Sequence, residues 1–77
     1  MKINVIFFGQ LTDITGTAAA TVEDIEDTSS LLQHLNKTYP ELANSKYIIA
    51  VDKKVIAENT KLTDHSTVAL MSPFSGG

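Results

Sequence analysis

Thr28-Ser29-Ser30-Leu31-Leu32-Gln33-His34-Leu35-Asn36-Lys37-Thr38-Tyr39-Pro40 is the stretch on which the fold turns. Leu31, Leu32 and Leu35 fall on one side of a helix of 3.6-residue period, and Tyr39 prolongs the stripe. Thr28 or Ser29 supplies an N-cap hydroxyl, and the acids of Glu23-Asp24-Ile25-Glu26-Asp27 suit the positive end of the helix dipole. Pro40 cannot continue the backbone hydrogen-bond ladder, so the expected helix runs over 29–38. Pro40-Glu41-Leu42-Ala43 can start one further turn. A helix with one apolar stripe must bury it against another layer, and the sequence supplies strands on both sides.

Upstream, Lys2 to Phe8 alternates: Ile3, Val5 and Phe7 share one face, and Asn4, Ile6 and Phe8 share the other. Gly9 closes this strand. Residues 10–16 read as a loop ending at Gly16, with Leu11 and Ile14 tucked beneath it, and residues 17–22 read as an antiparallel partner strand. Downstream, 46–51 reads as a strand that buries Ile49 and Val51. Asp52-Lys53-Lys54 forms a turn, 55–57 a short strand, and Leu62 a plug for the core. Thr63-Asp64-His65-Ser66 is a polar turn. Thr67 to Met71 is the last strand, with Val68 and Leu70 on one face and Thr67, Ala69 and Met71 on the other. One helix among five strands gives an α+β fold of two layers, a mixed sheet with the helix on one face. The domain spans 1–72, and 73–77 is a flexible tail.

The composition excludes much. The chain has 77 residues, 43% hydrophobic and 19% charged, with a formal net charge of −3. That is one small domain near the lower limit at which a hydrophobic core suffices. The absence of cysteine excludes disulfides, thiolate metal sites and cysteine nucleophiles, and it fits a reducing cytoplasm. Val5-Ile6-Phe7-Phe8, the longest apolar run, is too short to cross a membrane. An acidic balance built without arginine argues against nucleic acid. His34 and His65 read as surface residues with no ligand partners at metal-site spacing, so no metal is expected. No strained nucleophile elbow or glycine-rich phosphate loop is present, and so small a domain leaves little room for a deep pocket.

What chemistry the chain offers lies in Ser72-Pro73-Phe74-Ser75-Gly76-Gly77. Pro73 cannot donate to a ladder and releases the last residues from the final strand. Two glycines make a rod without side chains that ends in a carboxylate. At neutral pH that carboxylate is ionised and a poor electrophile, so it must be activated before it reacts. An acyl adenylate, once formed, is open to a thiol, a lysine amine or a sulfide donor, and the tail suits all three.

The order of elements is that of ubiquitin-like β-grasp domains. The chain as a whole resembles the small subunit of molybdopterin synthase, the MoaD family. The resemblance is carried by Val5-Ile6-Phe7-Phe8-Gly9-Gln10-Leu11-Thr12-Asp13-Ile14-Thr15-Gly16, by Ile49-Ala50-Val51-Asp52, and by Leu62-Thr63-Asp64 with Val68-Ala69-Leu70-Met71-Ser72-Pro73-Phe74-Ser75-Gly76-Gly77. Departures fall at Gly9, Thr12-Asp13, His65-Ser66, Ser72 and Phe74, and they bear on partner fit.

The resemblance implies that the last strand lies centrally and parallel to the first. It also implies a cycle in which an adenylating enzyme similar to ubiquitin-activating enzymes uses ATP on Gly77, with no cofactor bound to this chain. A sulfur donor then forms a thiocarboxylate. The tail, with Gly76 and Gly77 at its reactive end, enters the large synthase subunit in a heterotetramer, and sulfur passes to a pyranopterin precursor to build the dithiolene. Ile6, Phe8, Ala69 and Met71 share a face away from the helix and, with Pro73, Phe74 and Ser75, are the expected partner-binding residues. A second small core under residues 10–16 is the competing account of that apolar face. The thiamin-pathway sulfur carrier, a ubiquitin-like modifier of lysines and a plain binding module are the alternatives.

Overall fold

The computed structural model describes residues 1–73. The strands are β1 (Lys2–Phe7), β2 (Ala19–Glu23), β3 (Ile48–Val51), β4 (Lys54–Ile56) and β5 (Thr67–Met71). Between them lie α1 (Leu11–Thr15), α2 (Thr28–Thr38) and a 3-10 turn at Pro40–Asn44. The sheet order is β2-β1-β5-β3-β4, with β1 and β5 parallel and the other neighbours antiparallel. This is the β-grasp arrangement that the resemblance implies, with the last strand central.

The core forms where α2 lies on the sheet. Val5 pairs with Val68 and Phe7 with Leu70 across the parallel junction, and none of the four is more than 2% exposed. Leu31 and Leu35 of α2 are fully buried above them, while Leu32 packs at the margin. Tyr39 meets Phe7 edge to face, with ring centroids 5.9 Å apart. Val51 is buried and Ile49 half-buried against the same core, and Leu62 fills its rim as expected.

Three local expectations are corrected. Residues 11–15 form a helical turn, which buries Leu11 and packs Ile14 against the main core. It ends at Gly16, whose φ of 75° places it in the left-handed region; its N–H donates to the Thr12 carbonyl at 2.8 Å. The strand expected over 46–51 begins only at Ile48. The cap of α2 is Asp27, whose carboxylate accepts from the Ser30 N–H at 2.9 Å. Thr28 is instead the first helical residue and is buried.

Thr28 is occupied by a distant loop. Its hydroxyl donates to Asn59 Oδ1 at 3.1 Å and accepts from the Thr60 N–H at 2.9 Å. Asn59 Oδ1 also accepts from the Ser29 N–H at 2.8 Å, and Asn59 Nδ2 donates to Asp27 Oδ2 at 3.3 Å. Polar groups at the helix start are thereby served from 30 residues away. The clasp fixes the segment that carries Leu62, whose own N–H donates to the Glu26 carbonyl at 2.8 Å.

This packing can be tested at Leu35 and at Asp27. Leu35→Ala is expected to cost about 2–5 kcal/mol, a large share of the stability of so small a domain, read as a fall in the denaturant midpoint. An unchanged midpoint would show that Leu35 is not a core residue. The test at Asp27 uses acid. The hydroxyl and N–H of Ser30, and the amide of Asn59, hold the Asp27 carboxyl below its usual 3.8. A depressed folded value contributes stability that is present above the unfolded pKa and lost as pH falls through the folded one. Asp27→Asn should therefore flatten the stability profile below about pH 4 in acid titrations monitored by circular dichroism.

Candidate functional site: the outer sheet face and the base of the tail

The alternation that buries Val5, Phe7, Val68 and Leu70 turns their neighbours outward. Ile6 and Ala69 are paired on the face away from α2. Ala69 also opposes Ala50, which opposes Val55, and Met71 opposes Ile48. Phe8 continues β1 with its N–H donating to the Leu70 carbonyl at 3.0 Å, next to the last residues of β5. Phe8 is 46% exposed and Val55 65% exposed. The result is an apolar face of the sheet that runs from Phe8 and Ile6 across Ala69 and Ala50 to Val55.

All four face residues expected from the sequence are thus brought together: Phe8 exposed, Ile6, Ala69 and Met71 half-buried. The competing account, a second core under residues 10–16, does not hold. That segment is α1, which delivers Leu11 to the main core and packs against the 3-10 turn, leaving Phe8 uncovered. Ile48, Ala50 and Val55 belong to the same face and are not among the residues expected from the sequence. The parity of Ile49 and Val51 carries the signal for Ile48 and Ala50, whereas Val55 requires the pairing of β4 with β3.

Pro73 is exposed, and β5 ends at Met71 just before it. Phe74, Ser75, Gly76 and Gly77, the remaining expected site residues, lie outside the described residues. His34 and His65 are both on the surface. Nε2 of His65 lies 3.4 Å from the Asp64 carboxylate in an exposed pair. Asp64 is drawn below its usual pKa mainly by the Lys2 N–H, which donates to it at 2.7 Å, so its task is to pin the start of β1. No helix among the described residues is long and apolar enough to cross a membrane.

The architecture defines a class, a one-domain β-grasp protein whose central last strand ends at the margin of an open apolar face. The chain belongs to the ThiS family, whose profile it matches over residues 5–77. It is 31% identical over 80 residues to the molybdopterin synthase sulfur carrier subunit of Escherichia coli (strain K12), covering 97% of this chain and 99% of that protein. It is similar at TM-score 0.77 and 25% identity, over 100% of both chains, to a chain in the protein–protein complex of subunits 1 and 2 of molybdopterin-converting factor from Helicobacter pylori 26695. The small archaeal modifier protein 1 of Haloferax volcanii superposes at TM-score 0.83 with 18% identity over 100% of both chains, a likeness of fold.

Adjacent phenylalanines provide a test of the two faces. Phe7→Ala, at a site 2% exposed, should cost about 3–5 kcal/mol. Phe8→Ala, on the open face, should leave the denaturation midpoint nearly where it was. Equal losses would mean that the outer face is covered.

Proposed function

We propose that this chain is the sulfur-carrying small subunit of molybdopterin synthase, acting in the cytoplasm. The observation that carries the reading is the place where the last strand ends. A central strand, hydrogen-bonded on both sides, delivers Ser72 and Pro73 to the margin of an exposed apolar face. A partner bound to that face receives the tail at a fixed position, and large exposed apolar patches mark such interfaces. The E. coli relative named as a sulfur carrier subunit supports the assignment, and the H. pylori complex supports a large subunit as the partner. The same relative favours molybdopterin over the thiamin pathway, which the family match alone leaves open.

In this reading an adenylating enzyme binds the outer face first. The Gly77 carboxylate attacks the α-phosphate of ATP, pyrophosphate leaves, and a sulfide donor displaces AMP from the acyl carbon to give a thiocarboxylate. The charged chain then docks on the large subunit, where the sulfur displaces an oxygen substituent from a carbon of the pyranopterin precursor, and hydrolysis of the resulting thioester leaves the sulfur on the pterin and releases the Gly77 carboxylate. A dithiolene holds two sulfurs and each charged chain carries one, so two charged chains are consumed per product. A heterotetramer with two carriers matches that requirement. ATP is the activating enzyme's substrate, and this chain holds no cofactor of its own.

Removing Gly77 shortens the reach by about 3.3–3.6 Å. A misplacement of about 1 Å already costs on the order of 10²-fold in rate, so sulfur transfer should be lost. Gly76→Val should block entry to a channel shaped for a bare backbone. Both variants should fold normally and fail in ATP–pyrophosphate exchange and in sulfur transfer with the large subunit. Retention of both steps without Gly77 would refute the reading. The mass of the chain from cells separates the fates: sulfur in place of oxygen marks a carrier, and a lysine-linked adduct a modifier.

A further inference from the structure

The β3–β4 turn holds two residues at positive φ, Asp52 at 49° and Lys53 at 74°. Two-residue hairpin turns of this hand favour asparagine and glycine, because a Cβ crowds the backbone there. Asp52 has a local reason for its place. Its Oδ1 accepts from the Thr67 N–H at 2.9 Å, and its own N–H donates to the Thr67 carbonyl at 2.8 Å. Lys53 has none: among the described residues its ammonium has no carboxylate within ion-pair distance. Glycine at this position would serve the hairpin better. What lysine adds is a cation, and it adds it at a particular place. Lys53 lines a depression of about 380 Å³ with Ile6, Phe8, Asp52, Thr67 and Ala69, on the outer face.

We propose that Lys53 is a specificity-determining residue of that face, its ammonium pairing with a carboxylate that the docking partner sets opposite the β3–β4 turn. The partner's surface is then apolar opposite Phe8, Ile6 and Ala69 and acidic opposite Lys53. The inference rests on the outer face being the docking surface for the large synthase subunit. Apolar contact is non-directional and leaves a partner free to sit either way round. The tail leaves from the end of β5 beside Ile48, whereas Lys53 follows Asp52 at the opposite end of β3. A charge pair there orients the partner so that its channel faces the tail. The Asp52 carboxylate beside it is engaged by the Thr67 N–H, and Lys54, which pairs with Val51, lies on the α2 side of the sheet, so Lys53 is the cation that this rim of the outer face offers.

Association of the wild-type chain, Lys53→Glu, Lys53→Gly and Phe8→Asp with the large subunit, timed at low and at high salt, tests the proposal. Lys53→Glu should associate about tenfold more slowly at low salt, with the deficit closing as salt screens the pair. Lys53→Gly should melt at a higher temperature than wild type and still associate more slowly, which separates the charge from the strained turn. Phe8→Asp should abolish binding at every salt concentration. A rate for Lys53→Glu and Lys53→Gly equal to or above wild type, with Phe8→Asp still defective, would overturn the role of Lys53 and leave the docking surface standing. Normal binding by Phe8→Asp would instead remove the docking reading itself.

Discussion

The parallel junction of β1 with β5 is the constraint on which the rest depends. Val5 against Val68 and Phe7 against Leu70 form the floor of the core, and β5 is paired again on its far side by β3. A strand held on both edges and buried on one face belongs to the most protected part of a domain. Because side chains alternate, the same pairing that buries these four residues must present Ile6, Phe8, Ala69 and Met71 on the other face. The core and the outer apolar face are therefore one decision. A slip of one residue would exchange them and destroy both.

Parallel neighbours cannot be joined by a tight turn, so the chain must cross over the sheet, and α2 occupies that crossing. Its start is where the long connection back to β5 is fastened. Asn59 and Thr60 come from a stretch with little regular structure, yet they satisfy amides and hydroxyls at Thr28 and Ser29 and carry Leu62 into place. The turn at Asp64 and His65 performs the same service at the first residue of β1, where the His65 N–H donates to the Lys2 carbonyl. Polar side chains in the irregular segment thus hold β5 in register with β1.

Legible in the sequence was whatever periodicity alone decides. Leu31, Leu35, Val5, Phe7, Val68 and Leu70 are placed by spacing, and β5 is bounded correctly because Ser66 and Pro73 punctuate an alternating run. The central, parallel place of β5 comes from family resemblance, since nothing in strand spacing states which strands are neighbours. The cap of α2 is ambiguous in the sequence because Asp27, Thr28 and Ser29 are all competent caps. The choice is made by Asn59 and Thr60, which occupy Thr28 from more than thirty residues away. The helical turn at Leu11–Thr15 escapes sequence reasoning for a different reason. Leu11 and Ile14 have helical spacing and Gly16 is a fitting C-cap, but five residues with two threonines give too weak a local signal. Val55 and Lys53 join the outer face only through the β3–β4 hairpin, which the sequence shows as a turn without a direction.

The outer face stays apolar and uncovered, and the charge pattern opposes its self-association. Exposed apolar area favours self-association in proportion to the area that two copies can hide. Opposing it are a net charge of −3, with four acids concentrated in Glu23–Asp27, and a polar rim of Asp52, Lys53 and Thr67 against the apolar centre. Stability is meanwhile drawn from the opposite face, where Phe7 is buried while Phe8 stays half in solvent. The residues of the outer apolar face are thus separate from those that hold the fold, and that face can change without touching the junction of β1 with β5.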